Sequence, residues 1–182
     1  MNLIKTKLDG LVVLKPTIFK DNRCYFMESY NQKNINKLLG DINFVQDNES
    51  ESYRGVLRGL HFQKPPYPQA KLVRCLKGSV LDVVLDLRKD SKTYGIFENI
   101  SLTEENKKQL FIPKGFAHGF IVLSKSAILS YKVDNYYNPE SESGIIWNDP
   151  DLNIDWKINK NEIIVSEKDK NLPAFNEIIN PF

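Results

Sequence analysis

The sequence is poor in the residues that disulfides and metal sites need: its 182 residues include two cysteines and two histidines. Cys24 and Cys75 lie far apart without CxxC spacing, which argues against both a zinc knuckle and a disulfide framework. His61 and His118 each stand without a nearby histidine, whereas transition-metal sites favour several imidazoles. We therefore expect reduced thiols, no bound metal and no metal cofactor.

An excess of one charge and long apolar runs are also missing. The formal net charge is +2, and acidic and basic residues are mixed along the chain, so no basic stripe could follow a nucleic-acid backbone. Charged residues interrupt every apolar stretch well before the 18 or so residues of a membrane span, and the first residues, MNLIKTKLDG, lack the apolar core of a signal peptide. We expect a soluble, cytoplasmic protein with neither nucleic acid nor membrane as a partner.

The chain shows no repeat, low-complexity tract or linker, and its length suits one domain over residues 1–182. Short segments rich in β-branched and aromatic residues recur between turn signals, which is typical of an antiparallel sandwich or barrel. These segments are LVVLKPTIF, INFVQD, VLRGLHF, KLVRCL, SVLDVVLDL, QLFIPKG, GFIVLS, AILSYKV and GIIW. The pattern predicts an all-β domain.

Helix signals are few. Ile35, Leu38 and Leu39 have helical spacing and are followed by Gly40, a common helix stop. Thr103 precedes the residues EEN as an N-cap would. We expect these to be short helices that decorate the sheets.

The stretch Leu72–Leu87 has the pattern of a β-hairpin, with its turn at Lys77-Gly78-Ser79. Its second strand alternates an aliphatic face with a face that carries Asp82 among valines. Asp82 could point into a polar pocket inside a barrel. Alternation alone favours the other interpretation, a solvated face.

The second histidine lies in FIPKGFAHGF, where Pro113, Gly115 and His118 form the P-x-G-x-x-H pattern of cupin barrels. In metal-binding cupins this histidine joins an earlier H-x-H pair and a glutamate, but the earlier segment here, RGLHFQ, offers His61 alone. The set of metal ligands is therefore incomplete. Taken singly, either histidine could also be a buried ring that hydrogen-bonds a backbone carbonyl.

A longer resemblance gives His61 a function. The string YRGVLRGLHFQKPPYPQAKLVRCLKGSVLDVVLDLRKDSKTYG closely resembles the dTDP-4-dehydrorhamnose 3,5-epimerase family. The likeness begins at FKDNRCYFMES and continues through LTEENKKQLFIPKGFAHGF, YKVDNYYNPESESGIIWNDPDLNIDW and VSEKDKNLPAF. It implies a cupin-type jelly-roll β-barrel with a few short helices, and an isomerase that needs no cofactor and serves surface-polysaccharide synthesis.

The resemblance also implies four catalytic residues. Such an epimerase removes the protons next to the ketone of a nucleoside-diphosphate 4-keto sugar, at carbons 3 and 5, and returns protons to the opposite faces. His61 matches the base, and an imidazole has an ordinary pKa of about 6.5, close to neutrality. Asp169 matches the carboxylate that orients the base, Lys71 the cation beside the enolate oxygen, and Tyr131 the acid on the opposite face.

Further matches concern substrate binding. Arg23, Arg58 and Lys168 suit the diphosphate or the sugar, because guanidinium and ammonium groups form charge-assisted hydrogen bonds with phosphate. Tyr137 matches a tyrosine that stacks on the nucleotide base. The remaining predicted binding residues are Phe26, Glu28, Gln46, Asn48, His118 and Glu142, together with Asp82 if it faces the pocket.

Arg58 and His61 raise a geometric problem, because residues three apart in a regular strand point to opposite faces. Gly59 offers a solution, since a glycine within a strand often marks a bulge that adds one residue. We therefore predict a bulge or a break in the ladder at Arg58–Leu60.

The chain departs from the family at Cys24, where family members usually have glycine. Several substrates and activities stay open: a GDP-linked heptose in place of a dTDP-linked hexose, inversion at carbon 3 alone, or a cupin that binds a sugar nucleotide without converting it. The resemblance finally implies a homodimer in which an N-terminal segment crosses to the partner.

Overall fold

The computed structural model describes residues 1–179 and 182, and it consists mainly of two antiparallel β-sheets. In chain order the elements are β1 (Asn2–Lys5), β2 (Val12–Lys15), β3 (Phe19–Asp21), β4 (Cys24–Phe26), α1 (Gln32–Leu39), β5 (Gln46–Tyr53), β6 (Val56–Gln63), β7 (Lys71–Lys77), β8 (Ser79–Asp86), β9 (Phe97–Thr103), β10 (Gln109–Ile112), β11 (Phe116–Val122), β12 (Ser126–Val133), β13 (Glu142–Gly144), β14 (Ile164–Val165) and α2 (Glu167–Lys170), with 3-10 turns at Lys160–Glu162 and Phe175–Glu177.

The first sheet has the strand order β1-β2-β10-β7-β12-β5, and the second has the order β13-β6-β11-β8-β9. β14 pairs with β6 in parallel, and β3 with β4 forms a separate small hairpin. From β5 onward, successive strands pass repeatedly from one sheet to the other, as in a jelly roll. This architecture confirms the predicted all-β fold.

The predicted hairpin between β7 and β8 is wrong. Both strands lie where the sequence indicated, but β7 pairs with β10 and β12, whereas β8 pairs with β9 and β11. Gly78, with φ +74°, is the corner at which the chain leaves one sheet for the other. A Cβ at Gly78 would lie 2.1 Å from the carbonyl oxygen of Ser126, so the corner requires glycine. The same turn residues suit a hairpin and a corner, and only the partners of each strand distinguish the two.

The interpretation of the Asp82 face as solvated is also wrong, because both faces of β8 are buried. Leu81 and Leu85 pack against the C-terminal part of the chain, including Trp156. Val84 and Asp82 are on the other face, where Val84 joins the core between the two sheets and Asp82 is fully buried. The C-terminal segment covers the surface that would otherwise meet water, so the face with carboxylates is the interior of the barrel.

The helix predictions have mixed outcomes. Helix α1 is confirmed: Asn31 caps its first turn, Ile35 is fully buried, and Gly40 ends it. Thr103 does accept hydrogen bonds from backbone N–H groups, including that of Asn106 at 3.0 Å, but it caps a turn and no helix follows, so that prediction is wrong. Within residues 1–179 and 182, no helix is long and apolar enough to cross a membrane.

The predicted bulge in β6 is confirmed. His61 pairs with His118 of β11 and Arg58 pairs with Phe120, so three steps along β6 match two steps along β11. Gly59 has φ +133°, and a Cβ there would lie 2.4 Å from the Cα of the facing glycine of β11. The extra residue brings Arg58 and His61 to the same side of the strand, toward the space between the sheets.

Candidate active site

A cavity between the two sheets collects most of the predicted site residues. Its main lobe has a volume of about 510 Å³ and its side lobe about 220 Å³. His61, Lys71 and Tyr131 line both lobes, so they mark the junction of the two. A ligand that fills the cavity must pass these three side chains.

The imidazole of His61 is held by a buried carboxylate. Its Nε2 lies 2.7 Å from Oδ1 of Asp169, whose Oδ2 accepts a hydrogen bond from the backbone N–H of Gly59 at 3.3 Å. Ser166 caps the short helix α2 by accepting from the N–H of Asp169, which fixes the direction of that side chain. Burial raises the pKa of Asp169, but the hydrogen bonds from His61 and Gly59 outweigh it and hold the pKa below its usual value. Nδ1 is thus the ring nitrogen that Asp169 does not engage.

Tyr131 approaches the same junction from the other sheet. It lies on β12 of the first sheet, whereas His61 lies on β6 of the second. Burial raises the pKa of Tyr131, the positive charge of Arg58 opposes this rise, and the negative charge of Glu142 adds to it. The phenol therefore keeps its proton at neutral pH. An imidazole and a phenol carried by different sheets therefore line the same cavity junction.

Lys71 adds a cation to this junction. It begins β7, the neighbour of β12, and its ladder partner there is two residues from Tyr131. Burial lowers the pKa of Lys71 to about 8, and the charges of Asp82 and Glu142 offset part of that effect. At pH 7 the side chain is therefore mostly an ammonium ion, which can stabilise negative charge in a cavity with little water.

At the side lobe, Glu142 connects two other elements. Its Oε2 accepts from the hydroxyl of Tyr137 at 2.6 Å and from Nζ of Lys168 at 2.5 Å. Burial raises the pKa of Glu142, but these two hydrogen bonds more than compensate and lower it. Tyr137 is about half exposed at the rim, so its ring remains available to a flat ligand.

The comparison with known proteins decides the family. The profile of dTDP-4-dehydrorhamnose 3,5-epimerase matches residues 5–177. The chain belongs to this epimerase family.

Individual relatives agree with this assignment. The dTDP-4-dehydrorhamnose 3,5-epimerase of Escherichia coli is 48% identical over 180 residues, which cover 98% of this chain and 97% of the relative. The crystal structure of dTDP-4-dehydrorhamnose 3,5-epimerase from Elizabethkingia anophelis has a TM-score of 0.94 at 53% identity, covering 99% and 98% of the two chains. A Legionella pneumophila dTDP-6-deoxy-D-glucose-3,5-epimerase, solved with dTDP-4-keto-L-rhamnose, has a TM-score of 0.93 at 47% identity, covering 97% and 94%. The likeness confirms the cupin-type fold.

In this epimerase, the edge strand β5 supplies a polar wall. Gln46 and Asn48 line the side lobe, and Ser50 the main lobe. Arg58 lines the main lobe, where its Nε and Nη2 lie 3.2 Å from Oγ of Ser52. The apolar pattern placed this strand too early, at residues 42–47, and missed β5 after Asp47. Polar residues at every second position of β5 were the signal that could have identified this strand.

His118 also lines the main lobe of the epimerase, but Asp82 lies behind it and not on the cavity wall. Nε2 of His118 is 2.8 Å from Oδ1 of Asp82, a close contact between the ring and the buried carboxylate. Thus each histidine of the site faces its own aspartate. Among residues 1–179 and 182, no three His, Cys, Asp or Glu side chains gather as metal ligands would.

The predicted residues of the N-terminal segment do not reach this chain's cavity. The side chain of Arg23 is 86% exposed and pairs with Asp21, and Phe26 is 71% exposed. Glu28 accepts hydrogen bonds from the side-chain amides at the start of α1. Cys24, the first residue of β4, has φ +107°, a conformation that favours glycine.

Proposed function

We propose that this chain is a dTDP-4-dehydrorhamnose 3,5-epimerase, which inverts carbons 3 and 5 of a dTDP-linked 4-keto-6-deoxy sugar. The observation that supports it most is the placement of His61 and Tyr131 on opposing sheets at one cavity junction, with Lys71 beside them. Inversion requires a base and an acid on opposite sides of the sugar ring. The dTDP-4-keto-L-rhamnose bound in the structure of the Legionella relative is consistent with this choice.

The first half of the reaction is proton removal. The ketone at carbon 4 acidifies the hydrogens on carbons 3 and 5, and His61 takes one of them while Asp169 stabilises the imidazolium that forms. The electron pair of the broken C–H bond moves into an enolate, whose oxygen becomes negative. We expect the Lys71 ammonium, at the cavity junction, to stabilise that oxygen, and such stabilisation is commonly the largest catalytic contribution.

The second half is proton return. Tyr131 donates its proton to the same carbon from the opposite face, and the enolate collapses to the ketone with inverted configuration. His61 then holds one proton too many and Tyr131 one too few, so exchange with water restores both groups. The same cycle serves the second carbon.

Substrate binding uses the charged and aromatic residues of the two lobes. Arg58 and Lys168 suit the diphosphate because both can form charge-assisted hydrogen bonds with it. Tyr137 suits the base as a stacking partner, and Gln46 and Asn48 offer amides at the side lobe. His118 and Glu142 complete the wall around the sugar.

We propose a homodimer in which the hairpin of β3 and β4 crosses to the partner. Phe19, Tyr25 and Phe26 are exposed aromatic residues on this hairpin, and such a patch commonly marks a contact surface. Arg23 and Glu28 would then complete the partner's cavity. Both cysteines are free thiols, which is consistent with the reducing cytoplasm as the proposed location.

The decisive experiment is solvent exchange. The purified protein is offered 4-keto sugars linked to dTDP, GDP, UDP and CDP in heavy water, and NMR records which carbons gain deuterium. We expect exchange at carbons 3 and 5 of the dTDP-linked hexose, and no exchange with His61→Asn. Exchange at carbon 3 alone would indicate a single inversion, preference for a GDP-linked heptose would change the substrate, and no exchange with any sugar would indicate a binding protein. Loss of activity with EDTA and its recovery with a metal ion would contradict the metal-free mechanism.

A further inference from the structure

Residues 135–138 connect β12 to β13 and carry Tyr137 at the rim of the side lobe. These four residues, the Tyr137 segment, have irregular backbone that belongs to no helix or strand. Their backbone N–H and C=O groups therefore need partners other than those of a β-ladder. Glutamine side chains supply four of these hydrogen bonds.

Gln63, the last residue of β6, holds the backbone on both sides of Tyr137. Its Oε1 accepts from the backbone N–H of Asn138 at 2.8 Å, and its Nε2 donates to the carbonyl of Tyr136 at 3.3 Å and to that of Tyr67 at 2.7 Å. Because a backbone N–H only donates and a carbonyl only accepts, these partners fix the direction of the amide. The side chain is buried, so the loss of any of these bonds is costly.

A second glutamine reaches the same segment from the other sheet. Oε1 of Gln46, on β5, accepts from the backbone N–H of Tyr137 at 3.2 Å, and its Nε2 donates to the side chain of Asn48 at 2.9 Å. Just before β7, Nε2 of Gln69 donates to the carbonyl of Asn135 at 2.8 Å. The Tyr137 segment is therefore held by side chains from both sheets.

The ring of Tyr137 is anchored at its two ends. The side chain is about half exposed, and its hydroxyl donates to Glu142 at 2.6 Å. Glu142 is the ladder partner of Gln63, because β13 pairs with β6. The backbone anchor and the hydroxyl anchor of Tyr137 therefore both depend on the same end of β6. A ring held in this way presents one orientation to a ligand and loses less entropy when the ligand binds.

Gln63 lines the side lobe, but its amide is already used by the protein. Both hydrogens of Nε2 are donated to carbonyls, and Oε1 accepts from a backbone N–H, so no hydrogen of Gln63 is left for a ligand. Gln63 is absent from the main lobe and from the junction, where His61, Lys71 and Tyr131 lie. Its effect should therefore fall on binding and not on proton transfer.

We propose that Gln63 is a positioning residue that holds Tyr137 ready to stack on the base of a nucleoside diphosphate. The inference rests on the proposed function, which assigns this stacking to Tyr137. Without the bonds from Gln63, the Tyr137 segment would have to be ordered when the nucleotide binds, and affinity would fall by that entropic cost.

The test replaces Gln63 with Met, which has a similar length and lacks the amide. Titration calorimetry with dTDP measures binding without turnover, and we expect the Kd to rise about tenfold, the effect of losing one or two net hydrogen bonds. KM for the sugar nucleotide should rise by a similar factor, while kcat should stay nearly constant. Exchange of the Tyr137 and Asn138 backbone amides with heavy water should become faster. If Gln63→Met does not fold, Gln63→Glu keeps the acceptor for Asn138 and allows the same measurements.

A double-mutant cycle with Tyr137→Ala measures whether Gln63 acts through the ring. Tyr137→Ala should itself weaken dTDP binding, and Gln63→Met added to it should weaken binding no further, because the group that it positions is gone. Additive losses in the two variants, or an unchanged Kd in folded Gln63→Met, would overturn the inference.

Asn106→Leu is the matched control, because Asn106 also holds a loop with one side-chain amide. It accepts from the backbone N–H groups of Thr103 and Lys108 and donates to the carbonyl of Ser101, and it lines neither lobe. This control should lower stability and leave the Kd for dTDP unchanged. An equal rise in Kd would indicate a general loosening of the fold and would contradict the role of Gln63.

The two proposals fail in different ways. A wild-type protein that binds no dTDP would contradict the proposed function and the ligand named here. Wild-type binding with the same Kd in Gln63→Met would contradict this inference alone.

Discussion

At the scale of single residues, the site combines groups that need opposite environments. The His61 side chain is 29% exposed to the cavity so that it can exchange protons, whereas the Asp169 side chain that orients it is 5% exposed. Tyr131 keeps its proton because burial raises its pKa, and Lys71 tends to lose its own for the same reason. Burial therefore favours the protonated form of Tyr131, which the proposed acid needs, and disfavours the protonated form of Lys71, which the proposed cation needs.

Replacement of Tyr131 by Phe separates the two halves of the reaction. We expect deuterium to enter the substrate with retention, because His61 still removes and returns a proton on its own face. Net epimerisation should fall by about 10²–10⁴-fold, the usual contribution of a general acid. NMR of the sugar in heavy water measures both the entry of deuterium and the net epimerisation. Tyr136→Phe, at an exposed position that lines neither lobe, is the control and should keep full activity; equal loss in both variants would contradict the role of Tyr131.

Replacement of Lys71 by Met should abolish activity and stabilise the fold. A pKa of about 8, below the ordinary value of 10.5, means that the folded state binds its proton more weakly than the unfolded state does. The cost is fully present below pH 8 and fades as pH rises to about 10.5, so wild-type stability should increase over that window relative to Lys71→Met. At pH 7 we expect the variant to gain about 1–3 kcal/mol in the free energy of unfolding by urea titration. A less stable variant would contradict this reading of the buried ammonium.

At the scale of secondary-structure elements, strand positions could be predicted but strand partners could not. Runs of β-branched and other apolar residues identified β7, β8, β11 and β12, and in β8 and β11 burial on both faces selects such residues. β5 carries polar side chains along the cavity and was only partly found. Pairing depends on residues distant in sequence, as the corner at Gly78 illustrates, since β7 and β8 are adjacent in the chain and lie in different sheets.

The bulge of β6 depends on Gly59, and its replacement by alanine is a test of the bulge. Gly59→Ala would place a Cβ 2.4 Å from backbone on β11 and force alanine to adopt φ +133°. We expect a loss of about 2–4 kcal/mol in stability, from strain and overpacking together, and a loss of activity as Arg58 and His61 lose their common side. Thermal and urea unfolding measure the first effect. Gly40→Ala, where φ is +88° but nothing lies within 4 Å of the added Cβ, is the control and should cost about 1 kcal/mol.

At the scale of the whole molecule, the proposed dimer would complete the site of one chain with residues of its partner. The residues placed around the cavity come from β5 to α2, and the resemblance to the family identified the charged ones and about half of the whole set by position. What sequence could not supply is environment: Asp82 is hidden behind His118, and Arg23, Phe26 and Glu28 do not line the cavity of their own chain. Burial and direction arise from the assembled fold and leave little trace in local composition.

Mixed dimers test the exchange of this hairpin. His61→Asn and Arg23→Ala should each be nearly inactive alone. If the hairpin crosses, a heterodimer places both defects in one site and leaves the other site intact, so refolding the two variants together should restore up to about a quarter of wild-type activity. Light scattering measures whether the protein is a dimer. Mixing His61→Asn with Tyr131→Phe is the control, because each site then keeps one defect and no activity should return; equal recovery in both mixtures would argue against exchange.

The hydrogen bond between His61 and Asp169 joins residues that are 108 positions apart, and Asp169 lies on a four-residue helix near the end of the chain. A ribosome therefore delivers base, cation and acid long before it delivers the carboxylate that orients the base. The base of a growing chain therefore stays unoriented until Ser166 and Asp169 have been made and α2 has docked on β6.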